Sequence, residues 1–247
     1  MVNFRISTVI ILLLFVFQNT SAKNDSIINH IFKLIYNEQF EQAEQALSKS
    51  NNFNNSFYAD VLEIDLYWWK YIYEPKKENS RRLKAIIDSF SDFSNSSSEG
   101  KIKQLIGKSY EIRFEFARYN LPGAVAARSE IKQLISEIKQ NNSQYSKERA
   151  KLLELYTLLF QYFDNLINPL FSESKRIKRA SALVLLDDFT GDKDLIVRTL
   201  ACYFVGKIYL NMEKNPQKGI ACFDFLVKQF PNNSIFNELL SDCRKKI

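Results

Sequence analysis

The sequence predicts an all-α fold of about eleven helices, which form five antiparallel pairs and a final single helix. Glycine and proline are scarce, with 6 Gly and 5 Pro in 247 residues, whereas strand-and-turn folds need many tight turns. Apolar residues recur at helical spacing between polar breaks. Because those breaks are short, consecutive helices are expected to lie side by side.

The N-terminus has the layout of a secretory signal peptide. Arg5 supplies a positive charge, an unbroken apolar run covers 9–17, and small residues lead up to Ala22. This run is shorter than the roughly 20 apolar residues of a spanning helix. We therefore expect cleavage after Ala22, one mature domain over 23–247 without a transmembrane span, and export to the periplasm or the extracellular space. An uncleaved membrane anchor is the alternative.

Polar breaks and prolines delimit the helices of the first half. The asparagine-rich run 51–56 separates the second helix from the third, and Pro75 ends the third. The stretch 91–98, rich in Ser, Asn and Asp, is the most linker-like segment. Pro122 suits the first turn of the sixth helix. The predicted helices here are 26–36, 38–48, 57–73, 77–90, 99–119 and 122–140.

The second half shows the same punctuation. Pro169 follows the seventh helix, and Gly191 can adopt a left-handed conformation that terminates the eighth. Asp192 can cap the ninth helix. Asn215 and Pro216 form a cap followed by a first-turn proline. The predicted helices here are 146–167, 173–188, 193–212, 216–230 and 235–244.

Several of the predicted helices are apolar on more than one face, for example over 57–73 and 195–210. A helix that is packed on two sides shows this pattern, and the inner helices of a stacked array are packed on two sides. Trp68, Trp69 and Tyr71 are therefore expected to fill the space between helix pairs. Their alternative role is a binding groove, since exposed aromatic residues are enriched at interaction hot spots.

The end of the chain carries a repeat-like motif. In the ninth helix Gly206 lets a partner helix approach, and Tyr209 fills the gap one turn later. The tenth helix carries a small residue, an aromatic and a leucine at matching spacing, and a proline closes the unit. The residues of the motif are Gly206, Tyr209, Gly219, Phe223, Leu226 and Pro231.

This pattern resembles the Leu-Gly-x-x-Tyr, Ala-x-x-x-Phe-x-x-Ala and Pro positions of the tetratricopeptide repeat (TPR). The likeness is good over 195–247 and fair over 25–55, and Cys202 stands where the repeat often has tryptophan. Ile106-Gly107-Lys108-Ser109-Tyr110 echoes the ninth-helix motif. The resemblance implies a right-handed, TPR-like solenoid with a C-terminal capping helix, which binds partners along its concave face.

In such an array the first helix of each pair lines the concave side. The third and fifth helices each carry a polar stripe at helical spacing. We predict that these stripes contact a protein or peptide partner. The predicted contact residues are Glu63, Tyr67, Lys70, Lys108, Glu111 and Glu115.

Residues that support catalysis are scarce. His30 is the single histidine, and neither metal-binding nor phosphate-binding motifs occur, so we predict no metal site and no cofactor. Carboxylate pairs such as Glu63 with Asp65, or Glu111 with Glu115, leave a glycan or cell-wall hydrolase as a minor alternative. Charged residues spaced in this way on helices usually face water or form pairs.

Cysteines and charge restrict the class of protein further. Three cysteines exclude a complete disulfide framework, and we expect Cys202, Cys222 and Cys243 to be buried thiols. In an oxidising compartment Cys202 and Cys222 are the first candidates for one bridge. The net charge of +6 is well mixed, and the basic cluster 175–179 is expected to be a solvated helix face, so no nucleic-acid partner is predicted.

The sequence thus favours an exported scaffold or adaptor that binds a protein or peptide partner in an envelope complex, without catalysis. A carrier or sensor of a sugar, peptide or lipid is the second hypothesis, with its pocket near residues 67–73. The hydrolase is the third.

Overall fold

The computed structural model describes residues 26–49, 56–91, 97–140, 145–167 and 173–247. These residues form eleven helices and no strand, which confirms the all-α prediction. The segment 1–22, with the predicted signal peptide, lies outside the described residues. Within the described ranges, each helix is too short or too polar to cross a membrane.

The helices begin and end within two residues of the predicted positions, because their apolar spacing and polar breaks are local signals. They are α1 (26–36), α2 (Phe40–Lys49), α3 (Ser56–Tyr73), α4 (Lys77–Ser91), α5 (Ser98–Ala117), α6 (Leu121–Gln140), α7 (Lys147–Ile167), α8 (Glu173–Phe189), α9 (Leu195–Asn211), α10 (Pro216–Gln229) and α11 (Ser234–Lys245).

The start of α9 differs from the prediction. Asp194, and not Asp192, caps the helix, and its carboxylate accepts a hydrogen bond from Ile196 N at 2.9 Å. Asp192 instead accepts bonds from the Asp194 backbone N–H and from Lys151 Nζ, both at 2.7 Å. It therefore ties the start of α9 to α7. The cap predicted at Asn215 is confirmed, with Pro216 in the first turn.

Left-handed backbone occurs after three helices, but not at the predicted residue. Gly191 does not have a positive φ, and neither does any other described glycine. The positive φ angles belong to Glu38 (63°), Tyr119 (59°) and Lys214 (50°). Each of these residues lies in the turn that follows α1, α5 or α9, so non-glycine residues make these helix ends.

Four odd-numbered helices, α3, α5, α7 and α9, form a connected inner set. They contact one another in chain order, and each also contacts the helix that follows it. α3 and α9 are therefore packed on more than one side, as their apolar patterns predicted. The core lies between these helices and their even-numbered partners.

The first and last parts of the described chain contact each other. The Tyr36 ring lies 5.2 Å from the Phe230 ring and 6.0 Å from the Phe236 ring, between centroids. The Asn233 side chain donates to the Tyr36 carbonyl at 2.9 Å. In an extended repeat array each unit contacts only its neighbours. Here the helices close into a compact body instead of leaving α1 and α11 at opposite ends.

Candidate functional site

The predicted stripe on α3 lies between α2 and α4. Tyr67 OH and Lys70 Nζ donate to the same oxygen of Glu44 on α2, at 2.7 and 2.9 Å. Glu63 forms an ion pair with Arg82 of α4 at 3.2 Å. Burial and the hydrogen bond to Glu44 raise the pKa of Tyr67 to about 12. The stripe is therefore bonded to neighbouring helices of the same chain.

The stripe on α5 is engaged in the same way. Lys108 Nζ lies 2.8 Å from Glu111 and 2.6 Å from Glu130 of α6. Lys84 of α4 approaches Glu111 to 4.0 Å. Burial lowers the pKa of Lys108, but the bonds to the two glutamates outweigh it, so the pKa is raised. These charges join α4, α5 and α6.

Glu115, the last of the six predicted contact residues, is buried in the last turn of α5. Its carboxylate accepts a hydrogen bond from the Asn120 side chain at 2.6 Å, and its carbonyl accepts the Asn120 backbone N–H at 2.9 Å. Glu115 therefore holds the turn. Among the described residues, no hydrogen bond or ion pair joins the contact residues predicted on α5 to those predicted on α3.

The close approach predicted at Gly206 is present. A Cβ on Gly206 would lie 2.8 Å from Cζ of Phe223. A Cβ on Gly219 would lie 3.0 Å from Cys243 Sγ and 3.3 Å from the Gly206 carbonyl. Two glycines thus let α9, α10 and α11 pack closely.

The other motif residues surround this contact. Phe223 and Leu226 are buried, and Pro231 is exposed in the turn that follows α10. Tyr209 OH donates to Asp187 of α8 at 2.6 Å, and burial is the main cause of its raised pKa.

The echo of this motif at Gly107 packs differently. A Cβ there would collide with Phe90 of α4, the preceding helix, whereas Gly206 meets the following helix. Tyr110 likewise bonds to α3, while Tyr209 bonds to α8. The similar residues of the two segments therefore contact different neighbouring helices.

The aromatic residues of α3 fill the core. Trp68, Trp69 and Tyr71 are all buried, as the interpretation of these side chains as packing residues predicted. Trp69 contacts Tyr36 and Tyr203, which connects α3 to α1 and α9.

Comparisons with known proteins do not assign the chain to a family. No protein-family model, curated protein or solved structure gives a significant match.

A polar cluster lies inside the set of odd-numbered helices. Tyr110 OH of α5 donates to Asp65 Oδ1 of α3 at 2.6 Å, and both residues are buried. Burial raises the pKa of Asp65, and the hydrogen bond from Tyr110 lowers it by less. Tyr156 of α7 is also buried, and burial together with the Asp65 charge raises its pKa.

Arg113 of α5 lies beside this cluster and is half-buried. Its Cζ lies 4.0 Å from the centroid of Trp68, 4.5 Å from Tyr110 and 5.3 Å from Phe204 of α9. Within the described part of the chain it has no hydrogen bond and no ion pair. The indole N–H of Trp68 is buried and also lacks a hydrogen-bond partner there.

Sequence reasoning missed Arg113, although a signal was present. Arg113 comes three residues after Tyr110 and immediately before Phe114, so it sits at the edge of a buried helix face. Charged residues are almost never fully buried without a partner, so a charge at such a position is informative.

Four apolar side chains are exposed at one corner of the fold. We call Phe116, Tyr119, Leu121 and Val125 the α5–α6 tip; their exposed fractions are 47%, 91%, 59% and 61%. The turn between α5 and α6 is fixed by Glu115 and by Asn120, which accepts a bond from Gly123 N. The pattern did not reveal this surface, because apolar residues at helical spacing are usually read as core.

Metal-binding and redox features are limited. No group of three acidic, His or Cys residues in the described ranges could hold a metal ion. The three cysteines are buried thiols, as expected. A hydrogen bond with Cys222 lowers the pKa of Cys202 and raises that of Cys222. The basic cluster 175–179 is largely exposed, and Arg179 pairs with Glu213.

Proposed function

We propose that this chain is an exported, non-catalytic helical-repeat scaffold that binds a protein or peptide partner in an envelope complex. The α5–α6 tip carries the proposal, because it presents four large apolar side chains on a hydrogen-bonded turn and on the helix ends beside it. Solvent-exposed apolar groups that cluster in this way mark interaction surfaces. Aromatic residues such as Phe116 and Tyr119 dominate many protein interfaces.

The fold that we propose for this function is a TPR-like, right-handed stacking of helix pairs. The contacts of α3, α5, α7 and α9 in chain order support the stacking, and so does the close packing at Gly206. The inner side of the stack is occupied by Trp68 and Trp69, which directs partner binding to the outer corner. The six polar residues predicted for the contact stay a prediction. A partner that contacted them would have to compete with bonds such as those to Glu44, Arg82, Glu130 and Asn120.

A pull-down with matched variants tests the proposal. The mature chain, a Phe116→Ser/Tyr119→Ser variant and an Ile177→Ser/Val184→Ser control are used as bait in extract of the source cells. The control also removes two exposed apolar side chains, but from α8. The wild type and the control should retain the same partner, and the tip variant should lose it. Equal retention by the tip variant, or no retained protein above a scrambled-sequence control, contradicts the proposal.

A second candidate is the binding of a small ligand. The Arg113 guanidinium and the neighbouring Trp68 indole N–H favour it, because neither has a hydrogen-bond partner in the part of the chain that the structure describes. The hydrolase alternative gains no such support, since Glu63, Glu111 and Glu115 are each bonded to side chains of this chain.

A further inference from the structure

We propose that Arg113 is the anchor of a site that binds a small organic carboxylate. This site is separate from the α5–α6 tip, and it does not require the protein partner. The proposal rests on the environment of one guanidinium and on the indole N–H beside it.

Within the described residues, no hydrogen bond or ion pair uses the donors of Arg113. A guanidinium has five N–H donors in a rigid plane, and a half-buried one normally binds carboxylates, carbonyls or water. Three rings approach the Arg113 guanidinium, and such cation–π contacts offset part of the cost of removing the charge from water. Rings satisfy no N–H group, so the donors at the edge of the plane remain available to a ligand.

Asp65 does not bind the N–H donors of Arg113. It attracts Arg113 electrostatically, but no ion pair within 4.0 Å joins them, and Asp65 Oδ1 is bonded to Tyr110 OH. Tyr156 also lies close enough to interact with Arg113, and it supplies no negative charge at neutral pH, because burial raises its pKa. Among the described residues, Asp65 thus offsets part of the guanidinium charge at a distance but leaves its N–H donors without a carboxylate partner.

The Trp68 indole gives the second, independent observation. Its N–H is buried without a partner, and buried polar groups are satisfied in most proteins by protein, water or ligand. The indole ring lies against the guanidinium, so the unpartnered N–H belongs to one of the rings that surround Arg113.

The chemistry of the site indicates the ligand class. The planar fork of an arginine matches the two oxygens of a carboxylate. The surrounding Trp68, Tyr110 and Phe204 rings suit an apolar body attached to that carboxylate. An aromatic acid therefore fits better than a fully hydrated anion such as inorganic phosphate.

Thermal unfolding of the mature chain tests the site. The melting temperature is measured with sodium benzoate, sodium acetate or inorganic phosphate, at an ionic strength held constant with sodium chloride. Benzoate should raise it by several degrees at concentrations about a hundredfold above its Kd. Phosphate should raise it much less. An equal effect of phosphate, or no effect of any probe, overturns the proposal.

Variants separate this site from general anion effects. Arg113→Met should abolish the benzoate response, whereas Arg118→Met should keep it, because Arg118 is exposed and only lies over Phe114 at 5.1 Å. Arg113→Lys keeps the charge but removes the planar fork, so we expect benzoate binding to weaken about tenfold or more. The Arg113→Lys variant tests the assignment of the site if Arg113→Met does not fold. A wild-type response in Arg113→Lys overturns the assignment.

Discussion

The side chain of Asn233 donates a hydrogen bond to the backbone carbonyl of Tyr36 at 2.9 Å, across 197 positions of the sequence. The same side chain caps α11, because its Oδ1 accepts the Phe236 N–H at 2.9 Å. One buried asparagine thus starts the last helix and ties it to the end of the first.

Replacement of Asn233 tests this closure. Asn233→Ala should lower the free energy of unfolding by about 2–4 kcal/mol, because it removes a cap and leaves the Tyr36 carbonyl without its partner. Asn215→Ala is the matched control, since Asn215 only caps α10, and it should cost about 1 kcal/mol. Urea unfolding of both variants gives the comparison. Equal losses would show that the contact between the chain ends adds no stability.

The glycine contact between α9 and α10 gives a second prediction. Gly206→Ala places a methyl group against the Phe223 ring and should destabilise the protein by about 1–3 kcal/mol. Gly191→Ala meets only a backbone oxygen at 3.8 Å and needs no positive φ, so it should be neutral or stabilise by about 0.4–1 kcal/mol. Thermal or urea unfolding measures both. A harmless Gly206→Ala variant would contradict the close packing.

The pH dependence of stability distinguishes two aspartates. Burial raises the pKa of Asp65, so the folded chain holds a proton where the unfolded chain has released it. The contribution of Asp65 therefore becomes less favourable as pH rises through its folded pKa. Asp65→Asn should stabilise the protein at neutral pH, and the gain should vanish in acid.

Asp192 serves as the control, because its pKa is shifted in the opposite direction. Burial raises its pKa, but the bonds from Lys151 and the Asp194 backbone outweigh this, so the pKa is lowered. Its contribution is present above the unfolded pKa and is lost as pH falls through the folded pKa. Asp192→Asn should therefore destabilise at neutral pH only. Urea unfolding at several pH values checks both variants, and a loss of stability in Asp65→Asn at neutral pH would contradict the account of Asp65.

Export gives a prediction that is independent of the fold. Mass spectrometry of the secreted or periplasmic protein should show a mature N-terminus at Lys23, because small residues precede Ala22. Arg5→Glu should reduce export by weakening the positive start. A full-length chain that stays in the cytosol would refute this part of the account.

Local features of the fold could be predicted from the sequence. Helix ends follow breaks such as Asn215-Pro216, and the burial of Trp68 and Trp69 follows from their place in a helix that is apolar on several faces. These signals act within one helix, so one sequence reveals them.

Relationships between distant helices could not be predicted. Arg113 becomes unusual only when Trp68 of α3 and Phe204 of α9 meet it, and no local pattern encodes that meeting. The exposure of Tyr119 has the same origin, because a face is solvent-exposed only when no other helix covers it. The bond between Asn233 and Tyr36 also depends on the closure of the whole chain.

Site-specific photo-crosslinking tests the proposed function most directly. A benzophenone amino acid replaces Tyr119 in one variant and Ile177 of α8 in a control, and each variant is irradiated in the source cells. The account predicts a defined adduct with one partner protein at position 119 and none at 177. No adduct at 119, or the same adducts at both positions, would contradict the assignment of the α5–α6 tip as the binding surface.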